Sequence, residues 1–136
     1  MSRGTLEILQ PPGWTRPSGY SNGIIAQGRQ IYVAGQVGWS TTGRFPSTLA
    51  PQVKQALENI CIVRAQAGAH AEHVVRLTWY VTSRDEYYAE RKEIGVAYRA
   101  VMGSHYPAMT VVEVSALMET QAKVEIEATA VIPESG

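Results

Sequence analysis

Between Lys123 and Ala130 the chain alternates strictly, with Lys123, Glu125, Glu127 and Thr129 on one set of positions and Val124, Ile126, Ala128 and Ala130 on the other. A period of two is that of a β-strand, whose successive side chains leave on opposite faces. A chain with this pattern has to press one face of a sheet against a core and set a row of carboxylates on the other. Upstream, Ala108-Met109-Thr110-Val111-Val112-Glu113 is a second β-rich run. The short link through Leu117 and Gln121 predicts that the two runs close the domain as a hairpin. The acids then either lie in open water or have been placed at a site.

The preceding residues supply the rest of the sheet and its cover. Thr5–Leu9 predicts a short strand ended by Pro11-Pro12-Gly13, and a loop follows from Trp14 to Asn22. Gly23–Gln27 and Gln30–Gln36 read as two strands with a tight turn at Gly28-Arg29. Gly35 inside the second predicts a bulge, or a place where a ligand or another backbone comes close. From Thr48 to Ala67 the residues Leu49, Val53, Ala56, Leu57, Ile60, Val63 and Ala67 recur at three and four, the period of an amphipathic helix. Ser47 or Thr48 can cap it, and Gly68 suits the position past its end. Val74–Thr82 alternates, with Val75, Leu77, Trp79 and Val81 on the apolar side. Ser83 and Glu86 form a capping-box pattern opening a second helix that runs to about Met102, with Tyr87, Ile94, Tyr98 and Val101 on its buried stripe.

The order β-β-β-α-β-α-β-β predicts one α/β (α+β) domain over residues 1–136, its two helices packed on one sheet face. Polar and small residues on the other face predict that neighbouring subunits cover it, making a closed oligomer with sites at its seams. Twelve basic and twelve acidic residues cancel, and there is no Lys/Arg run. Nucleic-acid affinity comes largely from phosphate neutralisation, so this balance argues against DNA or RNA as a partner. The lone Cys61 leaves no intrachain disulfide framework and fits a reducing cytoplasm. Met1-Ser2-Arg3-Gly4 lacks a signal-peptide run and no window has the length of a membrane span, so a cytoplasmic protein is expected.

Four separated motifs then resemble one family. Pro107-Ala108-x-Thr110-x-Val112-Glu113-Val114 with Val124–Val131 looks like the closing motif of the RidA (YjgF/YER057c/UK114) family. Gly19-Tyr20-Ser21-Asn22-Gly23, Val33-Ala34-Gly35-Gln36 and Gln52–Asn59 occur in order before it. The resemblance implies a chorismate-mutase-like fold assembled as a homotrimer, with clefts between subunits. It implies hydrolysis of reactive enamines and imines, such as 2-aminoacrylate, to a 2-keto acid and ammonia, with no metal or organic cofactor. Carried onto this chain, Glu125 positions or activates the attacking water, Gly35 of the Gly35-Gln36 pair offers backbone contacts, and Tyr20 closes the pocket. The family's substrate-gripping arginine is absent: Met109 stands in its place, Val111 replaces a usual cysteine, and Gly95 stands where an asparagine is frequent. Because an arginine grips a carboxylate through paired charged hydrogen bonds, methionine does not substitute for it.

Met109 and Val111 are either core residues or an apolar pocket wall. If Trp39 joins them, the ligand is larger and less acidic than a three-carbon imine, for instance an enamine carrying a ring or a thioester. Trp79 shares its strand face with Leu77 and reads as core. Arg76 and Arg99 are available to replace the missing guanidinium, while Glu113 and Glu127 read as structural acids paired with lysine or arginine. His70 and His73 lack the spacing and the acidic third ligand of a zinc site. His105 reads as a loop residue, and Cys61 as an inert thiol in the first helix. The expected function is a deaminase acting on an imine other than 2-aminoacrylate; a trimeric small-molecule binding or regulatory protein is the alternative.

Overall fold

The computed structural model describes residues 6–134. Its strands are β1 (Leu6–Leu9), β2 (Gly23–Ala26), β3 (Arg29–Val37), β4 (Val74–Val81), β5 (Ala108–Glu113) and β6 (Val124–Ile132), and its helices α1 (Leu49–Ala65), α2 (Arg84–Ala89) and α3 (Arg91–Met102). The alternation that opened the sequence reading holds in β6, where Val124, Ile126, Ala128 and Ala130 are buried. Met1–Thr5, including the first residue of the expected N-terminal strand, lies outside the described residues.

Pairing departs from the expected hairpins. The main sheet runs β3-β6-β4-β5, while β1 and β2 make a separate antiparallel pair. Thus β5 and β6 are not neighbours: β4 lies between them, antiparallel to β6 and parallel to β5. A parallel neighbour needs a crossover, which α2 and α3 provide between β4 and β5. Nor does Gly28 join a β2–β3 hairpin, since β3 pairs with β6 instead. Its φ of 150° is open to glycine, and a Cβ there would sit 2.1 Å from the Ile132 carbonyl oxygen. Gly28 therefore lets the chain leave one sheet and run tight against the end of β6.

Helices α1 and α3 pack side by side on one face, burying Leu49, Val53, Leu57, Ile60, Ile94 and Tyr98 against Leu77, Trp79 and Ile126. Each such large side chain contributes about 1.5–3 kcal/mol by leaving water. In β4 a register shift between Val74 and Arg76 brings Val74, rather than Val75, into the core. The expected second helix bends at Glu90, although backbone bonds continue through the bend from Glu90 N to Glu86 O and from Ile94 N to Glu90 O. There the Glu90 carboxylate accepts the Ala50 N–H at 3.0 Å, so it serves a first-turn donor of α1 that Thr48 leaves without a side-chain cap.

Candidate functional site

The expected site residues fall into two groups on opposite faces of the main sheet. Glu125 and Glu127 alternate with the core residues of β6 and so lie on the helix-free face. Opposite them β3 carries a bulge, because Val33 pairs with Ala128 but Gln36 pairs with Ile126. The extra residue falls at Ala34-Gly35, where the sequence predicted a bulge or a close approach, and both are present. A Cβ built on Gly35 would lie 2.3 Å from Glu125 Oε2 and 2.9 Å from its Cδ. The carboxylate thus lies directly across the bulged backbone, in space that only glycine leaves open. Gln36 turns its amide back to the Ala34 carbonyl at 3.2 Å.

The neighbouring acids are held by groups other than lysine or arginine. Tyr80 Oη donates to Glu127 Oε1 at 2.7 Å, and this hydrogen bond, ahead of desolvation, raises the Tyr80 pKa. Glu113 Oε1 accepts the Arg84 N–H at 2.7 Å and so caps α2 beside Ser83 Oγ, which accepts the Glu86 N–H at 3.1 Å. Glu86 forms no reciprocal box and instead meets Lys123 Nζ at 3.0 Å.

The second group lines a cleft of about 970 Å³ on the helix side, at the β5 edge. In the parallel register Met109 pairs with Leu77 and Val111 with Trp79, so both point to the helices and pack on the rim of the core. Tyr20 reaches the same cleft because its loop is fastened to the start of β5. Ser21 N donates to the Pro107 carbonyl at 3.0 Å, Ser21 Oγ donates to the Tyr106 carbonyl, and Ser21 bridges Ala108. Tyr106 stacks on Tyr98 at 5.2 Å between ring centroids. Burial raises the Tyr98 pKa and keeps its hydroxyl protonated, donating to the His105 carbonyl at 2.6 Å. The buried Trp79 indole also borders the cleft, and its N–H has no acceptor among the described residues.

Trp39 is elsewhere. It packs on Phe45 at 5.7 Å and does not line the cleft with Met109 and Val111, so an enlarged apolar pocket made by all three does not form within the chain. Arg76 is on the helix-free face with Tyr32, Thr78 and Glu127, whereas Arg99 borders the cleft. Arg91 and Lys92 border the same cleft, and sequence reasoning missed them. A signal for Arg91 was the spacing of 91, 95 and 99, which puts those positions on one side of α3.

Gln52 and Asn59 serve as clasps. Gln52 is buried and donates to the Pro46 and Gln121 carbonyls at 2.8 and 3.1 Å while accepting the Lys123 N–H at 2.8 Å. Asn59 Nδ2 donates to the carbonyls of Val37 and Trp39, each at 3.1 Å. Together they fix the entry to β6 and the exit from β3, the two strands that hold Glu125 over Gly35. The His70–His73 pair closes a turn, with His70 N–H donating to His73 Nδ1 at 2.8 Å. His105 Nε2 lies 2.6 Å from the Val74 carbonyl. Arg64 donates to Cys61 Sγ at 2.9 Å, and the thiol is half-exposed rather than buried.

The model of the endoribonuclease L-PSP family matches residues 15–132. The chain belongs to this family, which is the RidA family. It is 31% identical over 108 residues to the 2-iminobutanoate/2-iminopropanoate deaminase of Escherichia coli K12, covering 76% of this chain and 80% of that protein. It is 28% identical to the human protein of the same name, over 95% of this chain and 90% of the other. Among solved structures, the Rid-family protein YyfB of Yersinia pestis, described as of unknown function, superposes with a TM-score of 0.80 at 31% identity, covering 93% of this chain and 98% of that one. This RidA-family chain therefore has the mixed α and β fold expected of it. Among its described residues no helix is long and apolar enough to cross a membrane.

Proposed function

We propose that the protein is an imine/enamine deaminase that hydrolyses a reactive C=N intermediate to a carbonyl compound and ammonia, on a substrate other than 2-aminoacrylate. The observation that carries the reading is the Glu125 carboxylate lying across the Gly35 bulge, in a chain whose relatives include named imine deaminases. A carboxylate held against rigid backbone is suited to orient a water and take its proton, a task worth about 10²–10⁴-fold in rate. The water oxygen bonds to the imine carbon while the C=N electron pair passes to nitrogen. Glu125 accepts a proton from that water and hands it to the nitrogen, giving a carbinolamine, and the hydroxyl proton then passes through Glu125 to the amino group. Collapse of the tetrahedral adduct breaks the C–N bond, expels ammonia and leaves a carbonyl group. No metal or organic cofactor enters this chemistry.

Glu125 and Gly35 lie on one face of the sheet and Tyr20, Met109 and Val111 on the other, so one chain does not assemble a complete site. The reading therefore includes a homotrimer in which the helix-free face of one subunit meets the cleft of the next, with Tyr20 closing over the ligand. The absence of any net charge speaks against RNA as the substrate, although the family carries an endoribonuclease name.

The test is ammonia release from a panel of imines generated in solution, with the oligomeric state measured by light scattering. Acceleration over buffer, lost by about a hundredfold in Glu125→Gln, supports the reading. Saturable binding of a small molecule without turnover of any imine would replace it with the non-catalytic binding protein.

A further inference from the structure

We infer that the cations of α3 that border the cleft, Arg99 with Arg91 and Lys92, are the anchor for the acid group of the ligand, taking over from the arginine that the family resemblance places at Met109. The ligand is a carboxylate carrying a bulky apolar or aromatic group. The inference deepens the deaminase reading and rests on it only in making that carboxylate part of an imino acid.

Four observations converge. Arg91, Lys92 and Arg99 of α3 all border the cleft that holds Met109. Among the described residues the ion pair formed is Lys123–Glu86, so none of these cations has a carboxylate partner.

Gly95 lies between them in the middle of α3, where glycine is about 1 kcal/mol less favourable than alanine. A Cβ there would stand 3.3 Å from Arg99 Nη1. The bare backbone thus lets the Arg99 guanidinium fold back along the helix toward the cleft. Finally, the walls facing this cationic rim are Tyr20, Tyr98, Tyr106 and Met109, with the unpartnered Trp79 N–H behind them. Charge at one side and rings at the other fit an acid with an apolar body and leave a three-carbon acid poorly filled. The expectation of a less acidic ligand, drawn from Met109 alone, gives way to one in which the acid is gripped from the helix.

The test uses the assembled wild-type protein and calorimetry at low salt with phenylpyruvate, pyruvate and the methyl ester of phenylpyruvate as probes. Phenylpyruvate is expected to bind at least about tenfold more tightly than pyruvate, because burying the ring adds apolar area. Arg99→Met should weaken phenylpyruvate by about tenfold, the scale of a lost charged hydrogen bond, and leave the ester unchanged. Gly95→Ala should raise Tm while weakening phenylpyruvate, a split that a purely structural glycine would not produce.

Equal binding of phenylpyruvate by wild type and Arg99→Met would overturn the inference, as would displacement of phenylpyruvate by inorganic phosphate at equal concentration. Binding of phenylpyruvate with no hydrolysis of any imine removes the deaminase reading and leaves this anchor standing. Hydrolysis indifferent to Arg99→Met does the reverse.

Discussion

Gly35→Ala isolates the geometry on which the proposed chemistry depends. The added methyl would stand 2.3 Å from Glu125 Oε2, 2.9 Å from Cδ and 3.0 Å from Cγ. Ordinary contacts begin near about 3.4 Å, so the carboxylate has to retreat by roughly 1 Å. Productive constellations tolerate about 0.5 Å, and a misplacement of about 1 Å costs on the order of a hundredfold. The backbone at Gly35 is not left-handed, so alanine is accepted there without strain, and loss of chain entropy in the unfolded state offsets part of any crowding. The expected result is a fall of about a hundredfold in kcat for imine hydrolysis, with Tm within a few degrees of wild type. Ammonia release under single-turnover conditions measures the first, and a circular dichroism melt the second. A Gly35→Ala protein that melts as wild type and turns over at the wild-type rate would refute the role given to the Gly35–Glu125 contact.

Other outcomes follow from the same packing and hydrogen bonds. Met109→Arg, which places a guanidinium on β5 in the cleft, should raise kcat/KM for a three- or four-carbon 2-imino acid by about tenfold, read in the same ammonia assay. Gln52→Leu leaves the Lys123 N–H and two carbonyls without their partner in a buried setting and should cost about 2–4 kcal/mol in urea melts. Trp79→Ala empties the space between Tyr87 and Tyr98 in the core and should cost about 3–5 kcal/mol by the same measurement. The His73 pKa is lowered, first by desolvation, with His70, Arg64 and His105 acting the same way against Glu72. The unfolded chain therefore binds the proton more readily, and stability should fall as pH drops through 6.5, the unfolded value. Asparagine at position 73 should flatten that part of the pH profile of Tm.

Much of the fold was readable because its determinants are local. The period of two in β4 and β6 and the period of three and four in α1 and α3 mark elements by burial alone, and they are where the sequence put them. What failed was pairing. The short link between β5 and β6 argues for a hairpin, yet β4 sits between them, because a strand carrying helices on one face gains more from the parallel neighbour its crossover delivers. The bend at Glu90 was equally invisible, since neither glycine nor proline marks it and its cause is a donor on α1.

The site divides along the same line. By its own pattern and motif resemblance the chain determined the family, the glycine bulge and the row of acids on β6, since each is a matter of residue type at a local spacing. Only the tertiary structure decided which of these meet. It laid Glu125 across Gly35, turned Met109 and Val111 to the opposite face, took Trp39 away to Phe45, and set Arg99, not Arg76, on the border of the cleft that holds Met109. The physical reason is that sheet register and helix packing set which side chains share a surface, and both are settled by burial summed over the whole domain rather than by any neighbouring residues.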